Sequence, residues 1–228
     1  MMIHSEEFVM IDYGTIRNRV AQFIDTRDGL RNPKDIKNKD IFIGELTGIF
    51  CEAAYSNNLT TSDVVGFLSD VEDHSITGLV DDGTVCEVAS LIDDNITSNP
   101  LYNITERTLM KYIPGSVQVG PGEFFMCFYD RYSTFGIDNL CGYDVIVDGV
   151  TTEMKNHGSN FTTPEMFDKY AASPKVERLL VVKPVSNAKN PQKRSQYACV
   201  SFDKMDWREA FGHKTPQGGG LSFVSRGQ

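Results

Sequence analysis

Two carboxylates and an amine, Asp144, Glu153 and Lys155, fall within one stretch, CGYDVIVDGVTTEMKN, residues 141–156. Asp148-Gly149 sits between two β-branched runs, the strongest short-range signal for a hairpin. A two-residue turn there pairs Val147 with Val150 and sets Asp144 opposite Glu153. Lys155 falls on the Glu153 side, because side chains alternate along a strand. Tyr143, Val145, Val147, Val150, Thr152 and Met154 share the other face, which can be buried. Like charges facing each other across an antiparallel pair destabilise it by up to about 1 kcal/mol. A divalent cation between them reverses that sign, and oxygen-only ligation suits Mg²⁺ or Mn²⁺. The competing reading is a solvated outer face on which Lys155 softens the repulsion.

Elements on both sides must position this hairpin. Pro121 suits the first position of a helix, Glu123 falls in its first turn, and FFMCFYDRY continues it as a deeply buried segment. The helix dipole favours a carboxylate there by about 0.3–1 kcal/mol, which explains Glu123 without any chemistry. After the hairpin, Thr163 can cap a helix starting at Pro164 and running through Met166, Phe167, Tyr170 and Ala171. Residues 178–185 read as a buried strand, 187–194 as a basic, proline-broken loop, and 197–202 as another strand. The tail holds Trp207, a glycine triplet at 218–220 and the strand-like LSFVS. The order from 121 onward is helix, hairpin, helix, strand, strand: a mixed α/β (α+β) fold in which helices pack on a mixed sheet.

The first hundred residues read as helical. Apolar spacing predicts a helix over 14–25, a second capped by Asn38 and ending near Asn57, and a third capped by Thr61 or Ser62. Val85, Val88, Ala89 and Ile92 repeat at helical spacing, and 105–112 is a further short helix candidate. The turn-forming IPGSVQVGPG, residues 113–122, marks a change of character. It divides a helical N-terminal region, 1–113, from a core, 114–228.

The formal net charge is −9, unevenly spread. Residues 1–114 carry 9 Lys+Arg and 19 Asp+Glu, a net −10, whereas residues 156–228 carry 11 and 6, a net +5. Basic charge therefore follows the hairpin, where a phosphate backbone would need it. The balance excludes a dedicated, tightly binding nucleic-acid module, which needs many phosphate contacts. Five cysteines without close pairing read as reduced core residues. Ligand spacing for structural zinc is missing, and the Asn-x-Thr strings at 58, 95, 103 and 160 are chance matches if the chain is not secreted. No apolar run is long enough for a membrane helix, and the acidic N-terminus is not a secretory signal. Those features point to a cytoplasmic or virion-associated protein.

Gly120-Pro121-Gly122-Glu123, Asp144 and Glu153-Met154-Lys155, in that order, resemble the PD-(D/E)xK nuclease superfamily, with its restriction-endonuclease-like fold. The resemblance covers roughly residues 115–205. Tyr143 stands where the motif's first letter is proline, and the first 110 residues match nothing in the family. A second string of this type, Pro33-Lys34-Asp35-Ile36-Lys37, has neither a strand pattern nor a facing acid and reads as a loop. The resemblance implies a Mg²⁺- or Mn²⁺-dependent deoxyribonuclease, an endonuclease, with DNA as its partner and a homodimer as one arrangement. It implies that Asp144 and Glu153 hold the metal with the Met154 carbonyl and Glu123, and that Lys155 holds the attacking water. His157, Lys183, Lys189, Lys193 and Arg194 are candidates for contacting DNA; the alternative for Lys183, Lys189, Lys193 and Arg194 is an ordinary solvated hairpin loop, and for His157 a solvated loop histidine is the commoner case. The acidic N-terminal region would then serve specificity, docking to a protein partner, or oligomerisation. The alternative is a non-catalytic structural or assembly protein, for example in a viral or DNA-processing complex, that keeps a nuclease-like fold. A weaker third reading makes the acidic half a DNA mimic.

Overall fold

The computed structural model describes residues 10–31, 38–76, 78–110, 119–136, 142–156, 164–183, 194–213 and 221–223. Among them, three helices come first: α1 (Tyr13–Asp25), α2 (Lys39–Ser56) and α3 (Thr61–Glu72). Asn38 caps α2 as expected, its side chain accepting the Ile41 N–H. The α3 cap is Thr60, one residue earlier than expected, because Thr60 and Asp63 form a reciprocal capping box. The helix expected from Val85, Val88, Ala89 and Ile92 is replaced by a two-residue strand, β1 (Cys86–Glu87), and one 3₁₀ turn, Val88–Leu91. Sheet pairing of Cys86 with Tyr197 outweighs the helical period there. A short α4 (Asp94–Thr97) leads into α5 (Pro100–Leu109), which starts well before the expected residue 105 because Asn99 caps it and Pro100 takes its first position.

The remaining elements are α6 (Pro121–Tyr129), β2 (Thr134–Phe135), β3 (Val145–Val147), β4 (Val150–Asn156), α7 (Pro164–Ala171), β5 (Arg178–Lys183), β6 (Gln196–Ser201), α8 (Trp207–Ala210), β7 (Phe211–His213) and β8 (Leu221–Phe223). The main sheet has six strands in the order β1-β6-β5-β4-β3-β2, and β7 and β8 form a separate pair. Only β4 and β5 run parallel in the main sheet, joined across α7. The mixed α/β class expected from the sequence is what the chain forms.

Strand alternation assigns the two sheet faces. Leu180, Val182, Tyr197 and Cys199 join Met154 in the larger core, built with α1, α2, α3, α5 and α6. Leu179, Val181, Ala198 and Val200 turn to the other face, against Phe167 of α7 and Trp207 of α8. With both faces covered, β5 is apolar from Leu179 to Val182, Arg178 is buried, and only Lys183 is exposed. The larger core is continuous from Ile16 to Cys199, so the helical first part and the sheet share one interior. Phe128 of α6 lies 4.9 Å from Phe23 and 6.2 Å from Phe50, centroid to centroid, and Phe124 lies 5.6 Å from Phe42. Polar ties cross the same boundary. Half-buried Asp81 pairs with buried Arg178 of β5, and buried Glu106 accepts the Ser195 N–H at 2.8 Å.

Candidate active site

The reversal at 148–149 forms as the sequence dictates. Val147 pairs with Val150, and Asp148 and Gly149 take φ of 53° and 73°, the left-handed pair that a two-residue hairpin turn requires. Glycine takes the second position without cost, and aspartate is among the few other residues that tolerate this region. Val145, Val147, Thr152 and Met154 are buried, as expected for the apolar face.

One geometric expectation fails. Asp144 is not the ladder partner of Glu153. Pairing ends at Val145–Thr152, and the Asp144 N–H also donates to the Thr152 carbonyl at 3.1 Å. Two residues thus address one partner, as at a bulge, and the strand turns away. The Asp144 carboxylate takes the place of the missing strand residue, its Oδ2 accepting the Met154 N–H at 2.9 Å. Its carbonyl accepts the Gly136 N–H at 2.9 Å, which fixes Asp144 from the β2 side. Glycine is required at 136, since a β-carbon there would collide with the Tyr143 carbonyl.

The three side chains nevertheless converge. The Lys155 ammonium lies 3.2 Å from Asp144 Oδ2 and is hydrogen-bonded to Glu153 Oε1. The solvated-face reading does not hold, because the Glu153 side chain is only 5 % exposed. Lys155 sits between the acids and cancels the repulsion that a facing pair would suffer. Burial pulls the Lys155 ammonium down, but Asp144 and Glu153 together outweigh it, and its net shift is upward. Burial, with help from Asp144, pushes Glu153 up.

Glu123 approaches from a different layer. It caps α6, its Oε2 accepting the Gly120 N–H at 2.9 Å, and α6 packs on the sheet face opposite α7. Burial pushes its carboxyl up to about 7, with Asp144 adding to the shift. Between its ordinary 4.5 and about 7 the folded chain therefore holds a proton that the unfolded chain has released. Stability must fall as pH rises through that window. Glu123→Gln should shrink the fall in urea midpoint between pH 5 and pH 7.5. Glu153 shifts in the same sense and keeps part of it.

Tyr170, which the sequence reading placed on an apolar helical stripe, belongs to this site. Its hydroxyl hydrogen-bonds the Glu153 carboxylate, and its ring centroid lies 5.2 Å from Lys155 Nζ. Burial pushes its phenol up to about 12. The strand register explains the encounter: Glu153 and Lys155 lie beside Leu179 and Val181, whose side chains face α7.

Of the candidate DNA contacts, Lys183 is exposed and lies two residues beyond Val181, the register partner of Lys155. Alternation puts it on the Lys155 face. Arg194 is half-buried and lies 3.7 Å from Glu106 Oε2, so its guanidinium is already engaged. His157, Lys189 and Lys193, like the 33–37 string, lie outside the described residues.

The donor set fits a hard divalent cation in kind. Asp144, Glu153 and Glu123 supply carboxylate oxygens. The Met154 carbonyl leaves β4 on the same side as its N–H, toward Asp144. When ionised, the three carboxyl groups outnumber the one ammonium and leave negative charge to compensate. The spacing differs from a finished metal centre: among the described residues no three His, Cys, Asp or Glu side chains are gathered closely enough to hold an ion. Among them, too, no helix is long and apolar enough to cross a membrane. No family model, no curated protein and no solved structure matches this chain.

Proposed function

We propose that the protein is a metal-dependent deoxyribonuclease, an endonuclease hydrolysing phosphodiester bonds, with Asp144, Glu153 and Lys155 at its centre. The supporting observation is their convergence at one partly buried point, where Lys155 lies 3.2 Å from Asp144 and is bonded to Glu153. Asp144 and Glu153 would hold Mg²⁺ or Mn²⁺, with the Met154 carbonyl and Glu123 completing the oxygen set. Bound there, the ion would lower the pKa of a water and offset charge developing on the phosphate. Lys155, kept protonated by its acids, is suited to orient that water and favour its hydroxide form through a fixed positive charge. It is not suited to remove a proton itself. Lys183 offers a phosphate contact at the same end of the sheet. The acidic N-terminal region would meet a protein partner or a second copy, since like charge keeps it from being the main DNA contact.

The test is incubation of the purified protein with Mg²⁺ or Mn²⁺ and linear, circular, branched or single-stranded DNA. Cutting of circular DNA, abolished by a chelator, is expected. If every substrate stays intact under all these conditions, the enzyme reading is wrong.

One observation favours a non-catalytic assembly protein instead: Lys155 already pairs with both acids, and no three acids among the described residues are gathered closely enough to hold an ion. Mn²⁺ titration separates the readings. Binding that disappears in Asp144→Asn belongs to the enzyme, and a scaffold has no need of it.

A further inference from the structure

We infer that the outer face of α2 is a docking site for a basic amphipathic helix of another protein. This rests on the reading above that the acidic N-terminal region meets a partner or a second copy, and it chooses the partner. It needs nothing from the chemistry of the hairpin. Four of the six large apolar side chains exposed among the described residues, Met10, Tyr13, Ile41 and Tyr55, lie on or beside α1 and α2. Single exposed apolar residues need no explanation. On α2 they follow a pattern. Ile41, Gly48 and Tyr55 recur every seven residues, with Gly44 and Cys51 between them. Those are the a and d positions of a helix that lies along another helix. The core-facing stripe of α2, which includes Phe42, Leu46, Phe50 and Ala53, is a separate one. Ile41 and Tyr55, 59 % and 67 % exposed, stand at the two ends of the outer stripe.

Between them Gly48 forms a dip that the fold itself does not require. A β-carbon at Gly48 would meet nothing within 4 Å. Glycine inside a helix is less favourable than alanine, so its presence weakens α2 without relieving any internal crowding. A helix laid across the stripe supplies the reason, because a missing β-carbon lets another chain approach closely. Gly44 differs: the Tyr13 hydroxyl lies 4.0 Å from where its β-carbon would be, so α1 borders the stripe there.

Charge selects the occupant. Glu45 and Glu52 line one margin of the stripe, both exposed and both at position e of the seven-residue repeat. Asp40, at position g, lies on the other margin, 3.4 Å from Arg17. In paired helices the e and g side chains of the two chains meet, and their charges decide which partner is accepted. A second copy laid antiparallel would bring Glu45 and Glu52 against themselves. Laid parallel, it would bring them against Asp40. Both arrangements oppose like charges. A helix with Lys or Arg along that margin, and a bulky apolar residue over Gly48, complements the face in charge and in shape.

The experiment is calorimetric titration of the whole protein with a synthetic three-heptad peptide carrying leucine at a and d and lysine at e and g. A counterpart with glutamate at e and g is the control, and like charge keeps either peptide from pairing with itself. The lysine peptide should bind about tenfold or more tightly than the glutamate one, and more weakly as salt rises. Gly48→Gln fills the dip and should weaken binding by about tenfold, yet melt no lower than wild type, since glutamine is the better helix former. Ile41→Ser combined with Tyr55→Ser should weaken binding likewise. Simple attraction of a basic peptide to an acidic protein would ignore these uncharged substitutions. Equal binding of the two peptides, binding of neither, or wild-type binding in Gly48→Gln overturns the inference. So does a wild-type dimer in sedimentation equilibrium that Gly48→Gln splits, which gives the face to a second copy. None of these outcomes bears on DNA cleavage, which is assayed separately.

Discussion

Lys155→Ala should lower DNA cleavage by about 10²–10⁴-fold, the usual cost of removing a group that orients or charges the reacting water. Two effects add in that variant. The positive charge that the proposed mechanism sets beside its water is gone, and the two acids it joined are left without that counter-ion. Glu153, already pushed up by burial and by Asp144, loses the main influence holding it down and moves higher. The substituted protein relieves its buried charge by binding a proton, so the fold should survive. Its stability should then fall more steeply with rising pH than that of wild type, across a window that opens at the ordinary carboxylate value. Lys155→Arg restores charge but not the compact ammonium between the two carboxylates, and should recover stability better than rate. Gel assays of cleavage and urea midpoints at two pH values measure the two halves separately. Full cleavage by Lys155→Ala would remove this residue from the mechanism.

Asp81→Ala should cost about 3–5 kcal/mol of stability, the range for breaking a buried ion pair from one side. At this chain length each kcal/mol lowers the melting temperature by roughly 2–4 °C. Asp81 and Arg178 are 9 % and 7 % exposed in their side chains and meet at 2.9 Å, with a second contact at 3.1 Å from Arg178 Nη2. The same carboxylate accepts from Cys199 Sγ at 3.0 Å and lies 3.3 Å from Lys204 Nζ. Removing it strands a guanidinium under the sheet. Arg178 also donates to the Val147 carbonyl at 3.4 Å, so the loss reaches the hairpin that carries the site. Replacing both partners, as Asp81→Leu with Arg178→Met, should recover most of the stability, because no buried charge is then left unpaired. Thermal melts of the single and double variants decide this, and a single variant as stable as the double would contradict it.

The sequence made the local devices legible: the cap at Asn38, the helix start at Pro121, the turn at Asp148-Gly149, and the order helix, hairpin, helix, strand, strand from residue 121 onward. Each rests on residues near one another in the chain. What it did not reveal depends on distant partners. β1 exists because Cys86 meets Tyr197, and no window around residue 86 contains that fact. Where Asp144 leaves the ladder, its carbonyl is taken by the N–H of Gly136, just after a strand too short to notice in sequence. For the candidate site, alternation placed Glu153 and Lys155 together, and the parity of one hairpin carried Asp144 near them. Tyr170 escaped because an aromatic residue on an apolar helical stripe looks the same whether it meets leucine or lysine. Only the parallel register of β4 against β5 brings it over the acid. The anchors Asp81 and Glu106 escaped for the same reason, as ordinary acids in an acidic half.

Among the described residues, both rims of the six-stranded sheet are finished by strands of two residues, Cys86–Glu87 on one side and Thr134–Phe135 on the other. Strands that short give a neighbouring molecule little backbone of their own to extend. Cross-molecular strand addition, the commonest hazard of exposed sheet margins, is thereby discouraged. If two copies of this chain do associate to cut both strands of a duplex, the described borders favour side-chain contact between helices or loops over one sheet continuing into the next.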